Sequence, residues 1–304
     1  MKIAVCRTKV GPSAEAIYNA FINSLMMYGD TWVPVTCHKG FLSQEAIDRL
    51  EECDMSMQVC EGHLRDKDGK TRGSFFRSEM VEFQKLRNKR RLVFETGFVK
   101  NNTRLDIPPN QRYFQVGYDG MKGLAQCYNS NSPGDRWSAL NTKLEPWRTT
   151  GSHILIMGQN AEGASVRQTD VVQWWEEVVL EIQSLTNRTI KMRPHPTQVH
   201  FPSCDGLVLT NEPDIKKDLE DCWCVVALST SAAVDAIIQG IPVITPDEMC
   251  MAYDVASHSI SDINNPATPD RTQWANDLAY AQWSIDEIHA GIPWERLRRF
   301  AQST

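Results

Sequence analysis

Three short runs gather residues whose types suit chemistry on a phosphorylated ligand. They are Met157-Gly158-Gln159-Asn160, Arg193-Pro194-His195-Pro196 and Leu228-Ser229-Thr230-Ser231. Each follows a short apolar stretch, so each reads as the exit of a β-strand. In open parallel sheets, ligands bind off the carboxyl ends of the strands. Ser229, Thr230 and Ser231 also open a helix. Their N–H groups and hydroxyls, with the helix dipole behind them, suit an anion such as a diphosphate. The same residues equally make a plain helix cap. Asp235, one turn further on, is placed to accept from ribose hydroxyls. His195 stands between two prolines, which fix the backbone and carry no N–H. Beside Arg193 it suits phosphate binding.

Such loops need a sheet to hold them, and the sequence supplies two sets of strands. In the first half, apolar strands at 2–6, 31–36, 54–60 and 91–95 alternate with helices starting near Ser13, Ser43 and Ser74. In the second half, strands at 153–157, 189–192, 207–210, 224–228 and 241–245 alternate with helices at 170–185, 214–220 and 232–239, the last closed by Gly240. Strand–helix alternation implies parallel sheets with helices on both faces. Residues 101–150, punctuated by Pro108-Pro109, Gly117, Gly120 and Pro133-Gly134, read as loops and short strands. The pattern predicts a first domain over 1–150 and a second over 151–304. Helices are expected at 272–283, 284–289 and 293–300.

Length and composition bound the class. The chain has 304 residues, 41% hydrophobic and 23% charged, which fits a folded globular protein and excludes a disordered or fibrous one. No apolar run approaches the roughly 18 residues of a membrane span. Nine cysteines without CxxC spacing predict free thiols and a cytoplasmic setting. The net charge of −6 is unevenly spread. Residues 1–150 hold 22 bases and 17 acids, giving +5; the rest hold 10 and 21, giving −11. Arg72, Arg77, Arg87, Arg90 and Arg91 lie in the most basic stretch. It reads either as a surface for a polyanion or as a solvated helix face.

The Gly-Gln strand end, the Arg-Pro-His-Pro exit and the run from Leu228 through Ile244 together resemble the donor domain of GT-B glycosyltransferases. They are most similar to capsule-polysaccharide and Kdo-transferase-like families. The resemblance covers 151 to about 255. It implies an α/β, GT-B-like fold: two Rossmann-like domains with parallel sheets facing across a cleft. The first domain would bind acceptor and the second the donor. Helices at about 290–304 would cross back to the first domain.

The resemblance further implies a UDP- or CMP-sugar donor substrate, with no tightly bound cofactor or metal. Arg193, His195, Ser229, Thr230 and Ser231 would hold its phosphates, and Gly158 and Gln159 would border the nucleotide. Asp235 and Glu248 would meet ribose or sugar. The usual helix acid is Glu, so Asp235 is shorter by a methylene. An inverting transferase needs a general base from the first domain. Glu95 at a strand end comes first, then Asp119 and His63. A retaining enzyme needs none.

The basic first half and small size resemble, in general organisation, phage enzymes that glycosylate hydroxymethylated pyrimidines such as 5-hydroxymethylcytosine in DNA. Double-stranded DNA would then meet Arg72, Arg77, Arg87, Arg90 and Arg91. Phe75-Phe76, Tyr113-Phe114 and Tyr118 would stack on an extruded base or fill the core. A capsule or surface-glycan transferase and a UDP-sugar 2-epimerase-like enzyme remain open alternatives, as does a nucleotide-sugar binding protein without catalysis.

Overall fold

A computed structural model describes residues 1–7, 11–36, 42–60, 75–100, 106–161, 163–166, 170–196 and 200–301, and all but the side chains of 75–78 and 164. It divides into two compact units. One comprises Met1–Arg136 with Asn276–Thr304; the other is Trp137–Ala275. The expected boundary at residue 150 and the expected return at about 290 therefore stand beside a division at 136/137 and 275/276.

The first unit begins with β1 (Lys2–Cys6), α1 (Pro12–Met27), β2 (Thr31–Val35), α2 (Gln44–Glu51), β3 (Met55–Val59), α3 (Phe75–Leu86), β4 (Arg91–Thr96) and β5 (Tyr113–Tyr118). Ile3 to Cys6 are fully buried, as a central parallel strand requires. Pro12 starts α1 at a position where its missing N–H costs nothing. Ile17, Tyr18, Phe21, Ser24 and Leu25 recur at helical spacing and are all buried. The helix α4 (Asp135–Ala139) spans the crossing into the second unit.

The second unit holds β6 (His153–Met157), α5 (Val171–Leu185), β7 (Thr189–Arg193), β8 (Leu207–Leu209), α6 (Ile215–Leu219), β9 (Cys222–Val226), α7 (Ala232–Ile238) and β10 (Val243–Ile244). Its sheet runs β10-β9-β6-β7-β8 with every pairing parallel. Asp170 caps α5 by accepting from the Val172 and Gln173 N–H groups. Trp175, Val179 and Ile182 then pack on Ile154, Ile156 and Val226 of the sheet. Gly240 follows α7 at φ 74, where a Cβ would strike the Pro146 carbonyl oxygen at 2.0 Å. Only glycine fits there.

The chain returns to the first unit through α8 (Thr272–Ala281), then β11 (Gln282–Ser284), α9 (Ile285–His289) and α10 (Ile292–Leu297). The first sheet runs β11-β5-β4-β3-β1-β2. It is not wholly parallel: β5 runs against β4, and β11 against β5. The strand β11 replaces the end of an expected helix over 272–283. Its cause is a long-range lock. The Gln282 Oε1 accepts from the Phe98 and Val99 N–H groups at 2.7 and 3.0 Å, and its Nε2 donates to the Val99 carbonyl at 3.2 Å. Helical periodicity cannot register a partner more than 180 residues away in sequence.

Trp294 of α10 is 1% exposed and meets Phe21 edge to face, ring centres 5.4 Å apart. Its indole N–H donates to Asp30 Oδ2 at 2.8 Å. Asp30 also pairs with the Met1 amino group and Arg298. Burial would raise this carboxyl, but the hydrogen bonds from the amino group and Trp294, with Arg298 nearby, hold it below its usual range. Among the described residues, no helix is long and apolar enough to cross a membrane.

Candidate functional site

The strands β9, β6 and β7 are neighbours, so the three marked exits lie side by side at one edge of the second sheet. From β6 the chain adds β7 on one side and later β9 on the other. That reversal opens a crevice between β6 and β9 at their carboxyl ends. Gln159 and Ser229 meet there. Gln159 Nε2 donates to Ser229 Oγ at 2.7 Å and to Ser165 Oγ at 2.9 Å, while its Oε1 accepts from the Ser229 N–H at 3.1 Å. The Ser229 hydroxyl donates to the Ser165 carbonyl at 2.9 Å. Both side chains are buried. They brace the loops from behind rather than offering groups at the surface.

Gly158 lets the β7 exit pass close. A Cβ at that position would sit 2.6 Å from the Arg193 carbonyl oxygen and 2.8 Å from the His195 nitrogen. His195, Thr230 and Ser231 are half-buried, so these side chains can reach a ligand. The Ser231 side chain makes no cap bond to α7. Asp235 and Glu248 are exposed beside them in sequence. Arg193 is engaged within its own unit. Its guanidinium forms an ion pair with Asp218, whose side chain is 2% exposed, and donates to the Glu212 carbonyl at 2.9 Å. A buried carboxylate needs that charge, and Arg193 supplies it through Nη1. At the opposite end of β6, the His153 ring lies 2.9 Å from the Asp218 carbonyl oxygen. Burial pushes this imidazole below its usual value, the carbonyl contact opposing.

The first unit repeats the arrangement. Its strand order reverses between β1 and β3. A cavity of about 200 Å³ lies at their carboxyl ends, lined among others by Gly11, Ser13, Cys60, Glu95, Thr96 and Phe114. Glu95 is the expected carboxylate, half-buried. Its Oε1 accepts from the Thr96 N–H at 2.8 Å and its Oε2 from the Cys60 thiol at 2.9 Å.

Other expected residues lie elsewhere. Asp119 follows β5, which runs against β4, so it sits beside Arg91 at the far end of that strand. Four residues of strand, about 13 Å, separate that end from Glu95. Asp119 is bound there by the Arg90 guanidinium at 2.5 Å and the Arg91 N–H at 2.8 Å. Arg90 and Arg91 are 8% and 3% exposed. Arg90 also donates to Gln126 and Tyr128, and Arg91 to the Asp119 carbonyl. Neither is placed to contact a DNA phosphate: Arg90 ties the start of β4 to Gln126, Tyr128 and the Phe300 carbonyl, and Arg91 ties it to the residue after β5. Arg87 pairs with Glu51 and lies over the Phe83 ring. Phe114 and Tyr118 are core residues. His63 and Arg72 lie outside the described residues, as does the Arg77 side chain. So does Asp66-Lys67-Asp68, a spacing of carboxylates that can hold a divalent cation.

No protein-family model and no curated protein matches the sequence. Solved structures do. KpsC of Thermosulfurimonas dismutans, as a β-Kdo 2,7 transferase, superposes with a TM-score of 0.53 over 97% of this chain and 100% of that one, at 13% identity. KpsC of the same organism as a β-Kdo 2,4 transferase gives 0.51 over 91% and 89%, at 12% identity. The fold is GT-B-like. At such identity the likeness carries the architecture and leaves each residue's role to the chemistry of the loops. Nothing in the sequence pattern singles out Cys60. Its signal was faint: a thiol in a polar strand exit, with the partner carboxylate 35 positions away.

Proposed function

We propose that the chain is a glycosyltransferase that moves a sugar from a nucleotide-sugar donor to a hydroxyl of a glycan acceptor. The observation that carries this reading is the set of three adjacent strand exits at the β6/β9 reversal, in a GT-B-like fold. His195, Thr230 and Ser231 would contact the donor phosphates, with Gln159 and Ser229 fixing the loops behind them. In an inverting transfer, the Glu95 carboxylate takes the proton of the acceptor hydroxyl. The freed oxygen attacks the anomeric carbon, and the nucleotide leaves with the electron pair of the broken C–O bond. The solved Kdo transferases make an acidic-sugar glycan the first acceptor to try. DNA is the weaker alternative, because Arg90 and Arg91 lie inside the unit.

The test is incubation with a panel of UDP- and CMP-sugars, CMP-Kdo among them, plus either Kdo-terminated oligosaccharide or hydroxymethylated duplex DNA, read by mass spectrometry. A mass gain on the oligosaccharide, with nucleotide released only when it is present, supports the reading. Modified DNA in its place would reject the glycan acceptor. Inversion of the free nucleotide sugar without acceptor would reject transfer in favour of epimerisation.

A further inference from the structure

We propose that Cys60 is a positioning residue for Glu95, a claim that rests on Glu95 being the base of the transfer. Three features converge on it. The Cys60 thiol donates to Glu95 Oε2 at 2.9 Å, at the wall of the cavity. The Thr96 N–H holds the other oxygen at 2.8 Å. With both oxygens tethered, rotation about the last side-chain bond is blocked and the carboxylate plane is fixed.

The second feature is the backbone. Cys60 lies at φ 68, in the left-handed region that non-glycine residues seldom occupy. That conformation ends β3 and turns the side chain back toward β4. It is held on both sides: the Cys60 N–H donates to the Phe94 carbonyl at 2.7 Å, and Gln58 Nε2 donates to the Cys60 carbonyl at 3.1 Å. For the turn alone, glycine or asparagine would serve better. What cysteine adds at this position is its sulfur, and the sulfur touches Glu95.

The third feature is the shape of the site. Glu95 stands at a strand end, where its neighbours on one side are loop atoms. A long side chain there samples several rotamers unless something holds it. Misplacing a reacting group by about 1 Å costs on the order of a hundredfold in rate.

The experiment compares Cys60→Ala, Cys60→Gly, Cys60→Ser and Glu95→Gln. Turnover uses CMP-Kdo and Kdo-terminated oligosaccharide, and donor affinity is measured alongside. Positioning predicts a kcat on the order of tenfold or more lower in Cys60→Ala, with donor affinity unchanged and Cys60→Ser largely restored. Cys60→Gly is decisive. It relieves the left-handed backbone yet removes the sulfur. If Cys60 serves only the turn, Cys60→Gly matches the native protein, and the proposal fails. If it positions Glu95, Cys60→Gly falls as far as Cys60→Ala. Full turnover in Glu95→Gln would sink the base assignment itself, and the proposal with it. A dead Glu95→Gln beside an undisturbed Cys60→Ala would sink the proposal alone.

A second readout needs no substrate. Iodoacetamide labelling of Cys60, followed peptide by peptide, should speed up severalfold in Glu95→Gln, since a neighbouring carboxylate repels the reactive thiolate. An unchanged rate at Cys60 would show that the sulfur and the carboxylate do not interact in solution, overturning the proposal.

Discussion

His195 is the side chain of the second sheet edge with most to lose a ligand by. Its flanking prolines restrain the backbone, and the side chain is half-buried rather than part of the core. His195→Ala should weaken binding of a nucleotide-sugar donor by about tenfold or more, one charge-assisted hydrogen bond being worth roughly 1.5–3 kcal/mol. The melting temperature should hardly move; calorimetric titration beside thermal melting checks both. His153 acts on stability instead. Burial depresses its folded pKa below the usual 6.5, so the folded state favours the neutral ring. Its contribution is fully present above the unfolded value. It is lost as pH falls through about 6.5 toward the folded value, because the unfolded chain takes up the proton first. Urea midpoints should drop across that window in the native protein and drop less in His153→Gln. At this scale the sequence located the loops better than the roles. Gln159 and Ser229 were legible as members of one site, yet they bind each other. Arg90 and Arg91 looked like surface charge because a count of charges carries no information on which strand they begin.

At the scale of elements, hydrophobic periodicity was a good guide wherever partners were close in sequence. The helices α1, α5 and α7 and the strands β1, β4 and β6 follow from it. It misplaced β9 by two residues, since Cys222 and Val226 belong to one unbroken apolar run. It missed β11, which pairs with β5 more than 160 positions earlier while the Gln282 side chain bonds the backbone at 98–99. The helix α10 is short, and its stability comes from what it covers. Trp294 and Leu297 complete a core with Phe21, Phe94 and Tyr118, whose hydroxyl donates to the Leu297 carbonyl at 3.1 Å. Trp294→Ala should cost about 3–5 kcal/mol, the range for deleting a buried aromatic. It also strips Asp30 of one hydrogen bond. Trp294→Phe should lose less in chemical denaturation, since it keeps most of the packing. Equal losses in the two variants would place the energy in the Asp30 bond.

At the scale of the molecule, the first unit is discontinuous: its fold is closed by residues 276–304. Truncation after Ala290 removes Trp294 and Leu297 and should abolish hydrogen-exchange protection in β1, β3 and β4. The strands β6, β7 and β9 should keep theirs. Retained protection in β1 would show that α10 is dispensable. The sequence could not set this boundary, because the change from 136 to 137 falls inside α4 and carries no break in composition.

The same discontinuity sets an order of events during synthesis. A ribosome emits β1 and α1 first and α10 last. Translation at about 5–20 residues per second puts on the order of ten seconds or more between those two moments. Over that interval Phe21 and Leu25 have no Trp294 or Leu297 to cover them. Residues 137–275, by contrast, are complete in one stretch before residues 276–304 are made. The later-made unit can therefore mature before the earlier one. Until α10 is made, the apolar face that Phe21 and Leu25 share stays uncovered on that side.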